Sequence, residues 1–407
     1  MFESLEIIPK DELKLRWQRL KDILQKEQQS SEGIMILSKV GIYWATGHFG
    51  SGVFWLPLDG EPHLFIRKGI ERAKLESPIE NIHKFRSYSD ISNILADYNL
   101  TLPSTFSVEM GGISWSGGKV FESKFKDRNI LPGDIILSKA RSVKTQWELH
   151  KIKLAGERHY RAICKLLPDK ISPGMTELEI GKVLTGIFLD LGHNGIIRMQ
   201  GQGEELFIGS VSAGDSGNYP TSFNVPVGAR GLHPAVPFLG YGGKVWKNKE
   251  ILIIDSVFSL EGYHTDKTQL FFAGKKDELP KQVKNAQEFC LMIQNECIKK
   301  LTPGTTPEEI YLFCIEKAKK YNFEDGFMGI GGNKVRFVGH GVGLYLDEWP
   351  PIANRFNEPL EENMVIALEP KVGIPGIGMV GIENTFLVTP SGGVSLTGDE
   401  YETIFIE

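Results

Sequence analysis

The chain lacks an excess of positive charge: 46 Lys plus Arg stand against 51 Asp plus Glu, a formal net charge of -5. That balance leaves no electrostatic footprint for nucleic acid or for an anionic membrane, and no partner of either kind is expected. Long apolar runs are missing too. Nothing approaches the roughly 18 residues that a membrane span needs, and the opening MFESLEIIPKDELK carries no basic segment followed by an apolar one. The expected location is the cytoplasm. Cysteine is scarce: Cys164, Cys290, Cys297 and Cys314 form no C-x-x-C pair, and none stands beside a His at zinc-finger spacing. They read as small buried apolar side chains, Cys290 and Cys297 sharing one packed helical face. There is no G-x-S-x-G elbow and no H-E-x-x-H helix, so the usual signatures of a serine hydrolase and of a zincin are absent. GIGMVG, from Gly376 to Gly381, matches G-x-G-x-x-G, but the following ENTFLVT reads as a strand. A phosphate-holding helix N-terminus is therefore not expected there.

What is present is enough for a sizeable core. With 407 residues, 41% of them hydrophobic, the chain exceeds what one core usually organises, and two domains are expected. Leu13, Trp17, Leu20 and Ile23 recur at helical spacing among charges between Lys10 and Gln28. GIMILSKVGIYWATG and SGVFWLPLDGEPHLFI read as strands broken by Gly and Pro. Residues 1–140 thus form a smaller α/β domain. A basic extended segment, LSKARSVK, then gives way to an amphipathic helix beginning near Thr145, and residues 141–407 form the larger domain.

That larger part repeats itself weakly but in order. ISPGMTELEI, from Ile171, matches LTPGTTPEEI, from Leu301. In each copy a Thr, Thr176 or Thr306, is the expected N-cap, with Glu179 or Glu309 completing a capping box. Further on, ILIIDSVFSLEGYHTDKTQLFF parallels MVIALEPKVGIPGIGMVGIENTFLV. Both run from an apolar strand into an acid, through a Gly-containing turn, to a second acid opening a second strand. The alignment sets Asp255 against Glu369 and Asp266 against Glu383.

A carboxylate at the end of a strand such as Ile251–Ile254 is partly desolvated, which is costly without compensating cations or donors. Four such acids call for a large positive charge. The two hairpins supply no Lys or Arg near enough in sequence to pair all four, while Lys267 and Lys371, which are adjacent, stay open as partners. The alternative reading, turn caps and surface charges, suits any one acid alone better than the set. His340, in VGHGVGLYLDEWP, has a glycine on each side, which lets backbone approach closely and lets the imidazole point into a cleft. His264, in the turn, and His233, in a Gly/Pro-rich loop, lack such flanks. Four carboxylates and an imidazole make an oxygen-rich site suited to a pair of manganese, iron, cobalt or zinc ions, since calcium would not need the histidine. Two such ions polarise a carbonyl and acidify a bridging water, which leads to hydrolysis of an amide-type bond.

The D-x10-D pattern containing GYHTD, the GHGVGL loop, the ALEP strand and the final IEN resemble those of the pita-bread metallopeptidases. That group includes methionine aminopeptidase, Xaa-Pro aminopeptidase, prolidase and the metal-free creatinase. The likeness runs through motifs from Arg141 to Glu407, and IYWATG extends it toward the N-terminus as in prolidase and creatinase. It implies a pita-bread fold with an internal pseudo-two-fold, preceded by a creatinase-type α/β domain. It also implies an exopeptidase of the Xaa-Pro aminopeptidase or dipeptidase type, usually a homodimer, acting on a short peptide or small molecule. The implied ligands of two divalent ions are Asp255, Asp266, His340, Glu369 and Glu383, with Glu369 also exchanging a proton with the nucleophilic water. Where family peptidases carry a catalytic His after a Gly/Asn turn, SAGDSGNYPTSF puts Thr221, and His233 in the loop beyond is the candidate to take over. Asp347 stands where a second His normally follows the GHG loop, so a donor role there needs a protonated acid. Two Arg of proline-specific members are replaced by Gly381 and Gln269. These departures keep open a creatinase-like enzyme cleaving a C–N or C–S bond of a small metabolite, and more remotely a non-catalytic binding module.

Overall fold

The computed structural model describes residues 3–201 and 205–407. Contacts divide the chain into two units, Met1–Arg141 and Ser142–Glu407.

In the first unit a six-stranded sheet has the order β4-β3-β2-β1-β5-β6. Its strands are β1 (Gly33–Ile36), β2 (Gly52–Pro57), β3 (His63–Ile66), β4 (Ile82–Lys84), β5 (Thr105–Val108) and β6 (Asn129–Pro132). The first three form an antiparallel meander, and β4, β5 and β6 join in parallel. Apolar runs such as Gly33–Ile36 are buried throughout, as strands covered on both faces should be. The helix Lys10–Glu27 buries Leu13, Trp17 and Leu20, and the Trp17 indole donates to the Ala45 carbonyl at 2.7 Å.

Two expectations are corrected here. The segment KVGIYWAT is a helix, Lys39–Thr46, whose first turn is capped by Ser38 Oγ accepting from the Gly41 N–H. Its aromatic and β-branched residues favour a strand locally, but the cap and the burial of Val40, Ile42, Trp44 and Ala45 override that preference. The stretch before Val143, read as extended, is helical over Asp134–Ser142.

The second unit carries the remaining strands: β7 (Ile197–Arg198), β8 (Glu205–Leu206), β9 (Gly209–Ala213), β10 (Ile251–Leu260), β11 (Tyr263–Ala273), β12 (Gly339–Gly341), β13 (Val365–Leu368), β14 (Lys371–Ile374), β15 (Gly378–Gly381), β16 (Asn384–Thr389), β17 (Gly392–Ser395) and β18 (Ile404–Ile406). One four-stranded sheet has the order β18-β11-β10-β9 and another β12-β13-β16-β17, while β14 and β15 pair alone. The internal repeat is visible in the helices. Both Glu177–Asp190 and Pro307–Lys320 open on a complete capping box, at Thr176 and Thr306. Each is preceded by a Pro-Gly turn whose glycine, Gly174 or Gly304, has φ of 100° or 96°.

Strand alternation then decides which side chains face the site. Leu252, Ile254 and Phe258 pack with Ile180, Leu184 and Phe188 in one core. Ile251, Ile253, Leu270 and Phe272 pack in the other, against the helix Lys281–Ile298 and β13, β15 and β16. Asp255, Asp266 and Thr268 fall on this second face, because the β10–β11 register sets Asp255 opposite Thr268 and Val257 opposite Asp266. The second hairpin lacks that continuity. Its strands break between Leu368 and Lys371 and between Gly381 and Asn384, leaving Glu369 and Glu383 at the breaks. A reciprocal pair of backbone bonds between Thr268 and Glu383, 3.1 and 3.3 Å, ties the two hairpins together.

Candidate metal centre

Each expected ligand reaches the centre for a local reason. His340 lies on the short strand β12, opposite Ala367 of β13. Its flanking glycines are needed for close approach: a Cβ on Gly339 would come within 2.2 Å of the Ala367 carbonyl oxygen, and one on Gly341 within 2.2 Å of the Trp349 carbonyl oxygen. The His340 Nδ1 stands 3.1 Å from the Gly341 carbonyl, to which it donates as the Nδ1–H tautomer. That leaves Nε2 as a free lone pair turned toward the acids.

Those acids surround it at nearly equal range. Nε2 is 3.7 Å from Asp266 Oδ2, 3.8 Å from Glu369 Oε1 and 3.8 Å from Glu383 Oε1. These separations exceed a hydrogen bond. Ligands each about 2.1 Å from a shared ion stand roughly 3.0–4.2 Å apart, so the gap has the size of one cation. Asp266, His340 and Glu383 each offer a ligand atom within 4.8 Å of the others. Among the described residues, the buried oxygens Asp266 Oδ1 and Glu383 Oε1 find no hydrogen-bond donor. Orphaned buried acceptors are rare because desolvation without a partner is costly. These residues therefore fit a divalent ion.

The other carboxylate oxygens face a cation of the chain itself. Lys371 is fully buried; its Nζ donates to Glu383 Oε2 at 2.7 Å and to Glu369 Oε2 at 2.8 Å, and lies 3.5 Å from Asp255 Oδ2. Thr268 Oγ1 adds a 3.0 Å bond to Glu383 Oε2. While the ammonium stays among them, these oxygens do not fit a second ion. Lys267, the other adjacent lysine, instead donates to Asn384 Oδ1 at 2.6 Å.

Burial and charge set the protonation tendencies. Burial pushes Asp266 well above the usual carboxylate range, and the charges of Glu383 and Asp255 push it further. Asp255 and Glu383 are raised chiefly by burial as well, partly offset by Lys371. Burial alone would push Lys371 down, but the charges of Asp255, Glu369 and Glu383 outweigh it and hold the ammonium well above its ordinary value.

The substrate-side candidates are less gathered. Asp347 is half-buried near His340; burial raises its pKa, against the 2.8 Å bond it accepts from the Gln200 N–H. His233 is exposed in a tight turn with Val236, and its Nδ1 accepts from the Ala235 N–H at 3.1 Å. Thr221 Oγ1 accepts from the Phe223 N–H at 3.1 Å. His233 is not one of the Asp266–His340–Glu383 ligand group. Gln269 is buried and donates to the Glu402 carbonyl at 2.6 Å.

His264 is a positioning residue that sequence reasoning assigned to the turn. It lies on β11, its Nδ1 2.9 Å from the Gly343 carbonyl and its Nε2 accepting from the Arg198 N–H at 3.2 Å. It thereby holds the loop that follows His340.

Comparison with known proteins extends this local picture to the whole chain. The Creatinase/Prolidase N-terminal domain matches residues 16–143. The Xaa-Pro dipeptidase of Pyrococcus furiosus is 26% identical over 380 residues, which cover 93% of this chain and 97% of that protein. Among solved structures, the X-Pro aminopeptidase from Thermotoga maritima superposes with a TM-score of 0.74 at 22% identity, covering 92% of this chain and 98% of its own. A dipeptidase from Mycobacterium ulcerans superposes with a TM-score of 0.79 at 18% identity, covering 98% and 100%. Both share the two-part fold. Among the described residues no helix is long and apolar enough to cross a membrane. The acids and the histidine all fall within residues 150–390, the span that matches metallopeptidase family M24, and to that family this chain belongs.

Proposed function

We propose that this chain is a metal-dependent exopeptidase that hydrolyses short peptides, with dipeptides ending in proline the first class to test. The observation that carries the reading is the gap among His340 Nε2, Asp266 Oδ2 and Glu383 Oε1, where Glu383 Oε1 and the neighbouring Asp266 Oδ1 find no donor among the described residues. Names of the relatives, Xaa-Pro dipeptidase and X-Pro aminopeptidase, support the substrate class. A divalent ion held by Asp266, His340 and Glu383, with Glu369 in reach, supplies a Lewis acid that polarises the scissile carbonyl and acidifies water. Manganese, cobalt, zinc and iron all suit this donor set. The sequence reading expects two ions with a hydroxide between them; the contacts of Lys371 favour the one-ion form.

The chain's own residues complete the reading. Glu369 keeps Oε1 toward the ion side while Oε2 is occupied by Lys371, so Oε1 is the oxygen able to take a proton from water. Asp347, whose pKa burial raises while its Oδ1 accepts from the Gln200 N–H, is the candidate substrate contact beside His340. Asp255 and Lys371 balance charge behind the site. In the cell the protein acts as a cytoplasmic homodimer, which light scattering of the purified protein tests.

The test is a panel of Xaa-Pro and other dipeptides against protein stripped with a chelator and reloaded with manganese or cobalt. Cleavage that disappears on stripping and returns on loading is expected. Absence of peptide cleavage with every metal would overturn the peptidase reading. A second reading, a creatinase-like enzyme cleaving a C–N or C–S bond of a small metabolite, is kept open by one departure: Thr221 stands where the family resemblance expects a catalytic His. Turnover of small amidines or betaines, but not peptides, would select it.

A further inference from the structure

We infer that Lys371 permanently occupies one of the two cation positions expected of this scaffold, so that the chain binds a single divalent ion, at Asp266, His340 and Glu383. The inference rests on the metal-dependent reading above and deepens it. Three carboxylates face the ammonium, with Nζ 2.7 Å from Glu383, 2.8 Å from Glu369 and 3.5 Å from Asp255. Glu369 and Glu383 each use one oxygen for Lys371 and turn the other toward His340 Nε2. The carboxylates that would bridge a pair of ions instead bridge an ammonium and one ion site.

The strand opposite also packs tightly against this residue. Lys371 lies opposite Gly381 across the β14–β15 pair. A Cβ on Gly381 would come within 2.4 Å of the Pro370 carbonyl oxygen, 2.7 Å of Lys371 Cα and 2.9 Å of Lys371 Cγ, so only glycine leaves room for the lysine stem as it lies. The stem is fully buried. An ammonium displaced from the acids would give up three carboxylate partners while its stem stays buried, which makes displacement by an added ion unfavourable.

The experiment counts ions. Chelator-stripped protein is incubated with excess Mn2+, passed through a desalting column, and analysed by elemental mass spectrometry and by electron paramagnetic resonance. The wild-type chain is expected to retain one Mn2+ per chain and to show the hyperfine pattern of an isolated ion, whereas Lys371→Gly is expected to retain two and to show exchange coupling. The wild-type spectrum alone keeps the inference falsifiable if the variant fails to fold. Two coupled ions in the wild type would overturn the inference while leaving metal-dependent chemistry intact. One ion in both proteins would also overturn it, because Lys371 would then not be what excludes the second. No retained ion in either would sink the inference together with the metal-dependent reading beneath it.

Discussion

Asp255, Glu369 and Glu383 converge on the buried Lys371 ammonium, and removing one partner from such a cluster typically costs about 3–5 kcal/mol. Lys371→Met is therefore expected to lower the unfolding free energy of the chelator-treated protein by roughly that amount, measured by urea denaturation. A loss below about 1 kcal/mol would mean that the acids find compensation elsewhere. Asp266 behaves in the opposite sense. Its folded pKa is raised well above the ordinary 3.8, so its contribution to stability is present below that value and is lost as pH rises through the folded pKa. Asp266→Asn is expected to make the metal-free protein more stable at neutral pH, by about 1–3 kcal/mol, and to abolish metal loading. If the substitution destabilised the stripped protein, the charge account of this site would be wrong. Residues of this kind differ in how visible they are in sequence. The acids and His340 stand out because strand ends and flanking glycines mark them. Lys371 is visible only as an adjacent charge, because spacing does not say where a long flexible stem lies.

At the scale of elements, β11 both supplies Asp266 and, through His264, holds the loop after His340. His264 is fully buried and its pKa is pushed from 6.5 down to about 4, chiefly by burial. A depressed histidine stabilises the fold above its unfolded pKa, and that contribution is lost as pH falls from 6.5 through about 4. Stability is expected to fall across this window by about 3 kcal/mol on account of His264, and His264→Gln is expected to flatten the decline. An unchanged pH profile in the variant would show that His264 is not the group being protonated. The capping boxes at Thr176 and Thr306 were legible because Ser/Thr-x-x-Glu satisfies helix-end donors locally. Lys39–Thr46 was not, because its apolar aromatic run carries a strand signal that only its cap and packing reverse. The register that brings Thr268 to Glu383 was also invisible, since it joins strands from opposite halves of the unit.

At the scale of the molecule, the internal repeat explains why residues far apart in sequence meet. Two related hairpins each deliver acids to a shared face, and the Thr268–Glu383 backbone pair locks them in register. That architecture could be read in advance because both copies kept the order of helix cap, apolar strand and acid. Substrate choice was less legible, because His233, Thr221 and Asp347 lie outside the repeated pattern. The role proposed for this convergence is the binding of a divalent cation. Crystals soaked with Mn2+ and measured near the manganese absorption edge test it most directly. An anomalous peak about 2.0–2.3 Å from His340 Nε2 and from a carboxylate oxygen of both Asp266 and Glu383 is the predicted result. No peak among these side chains, in crystals soaked with excess ion at neutral pH, would contradict it.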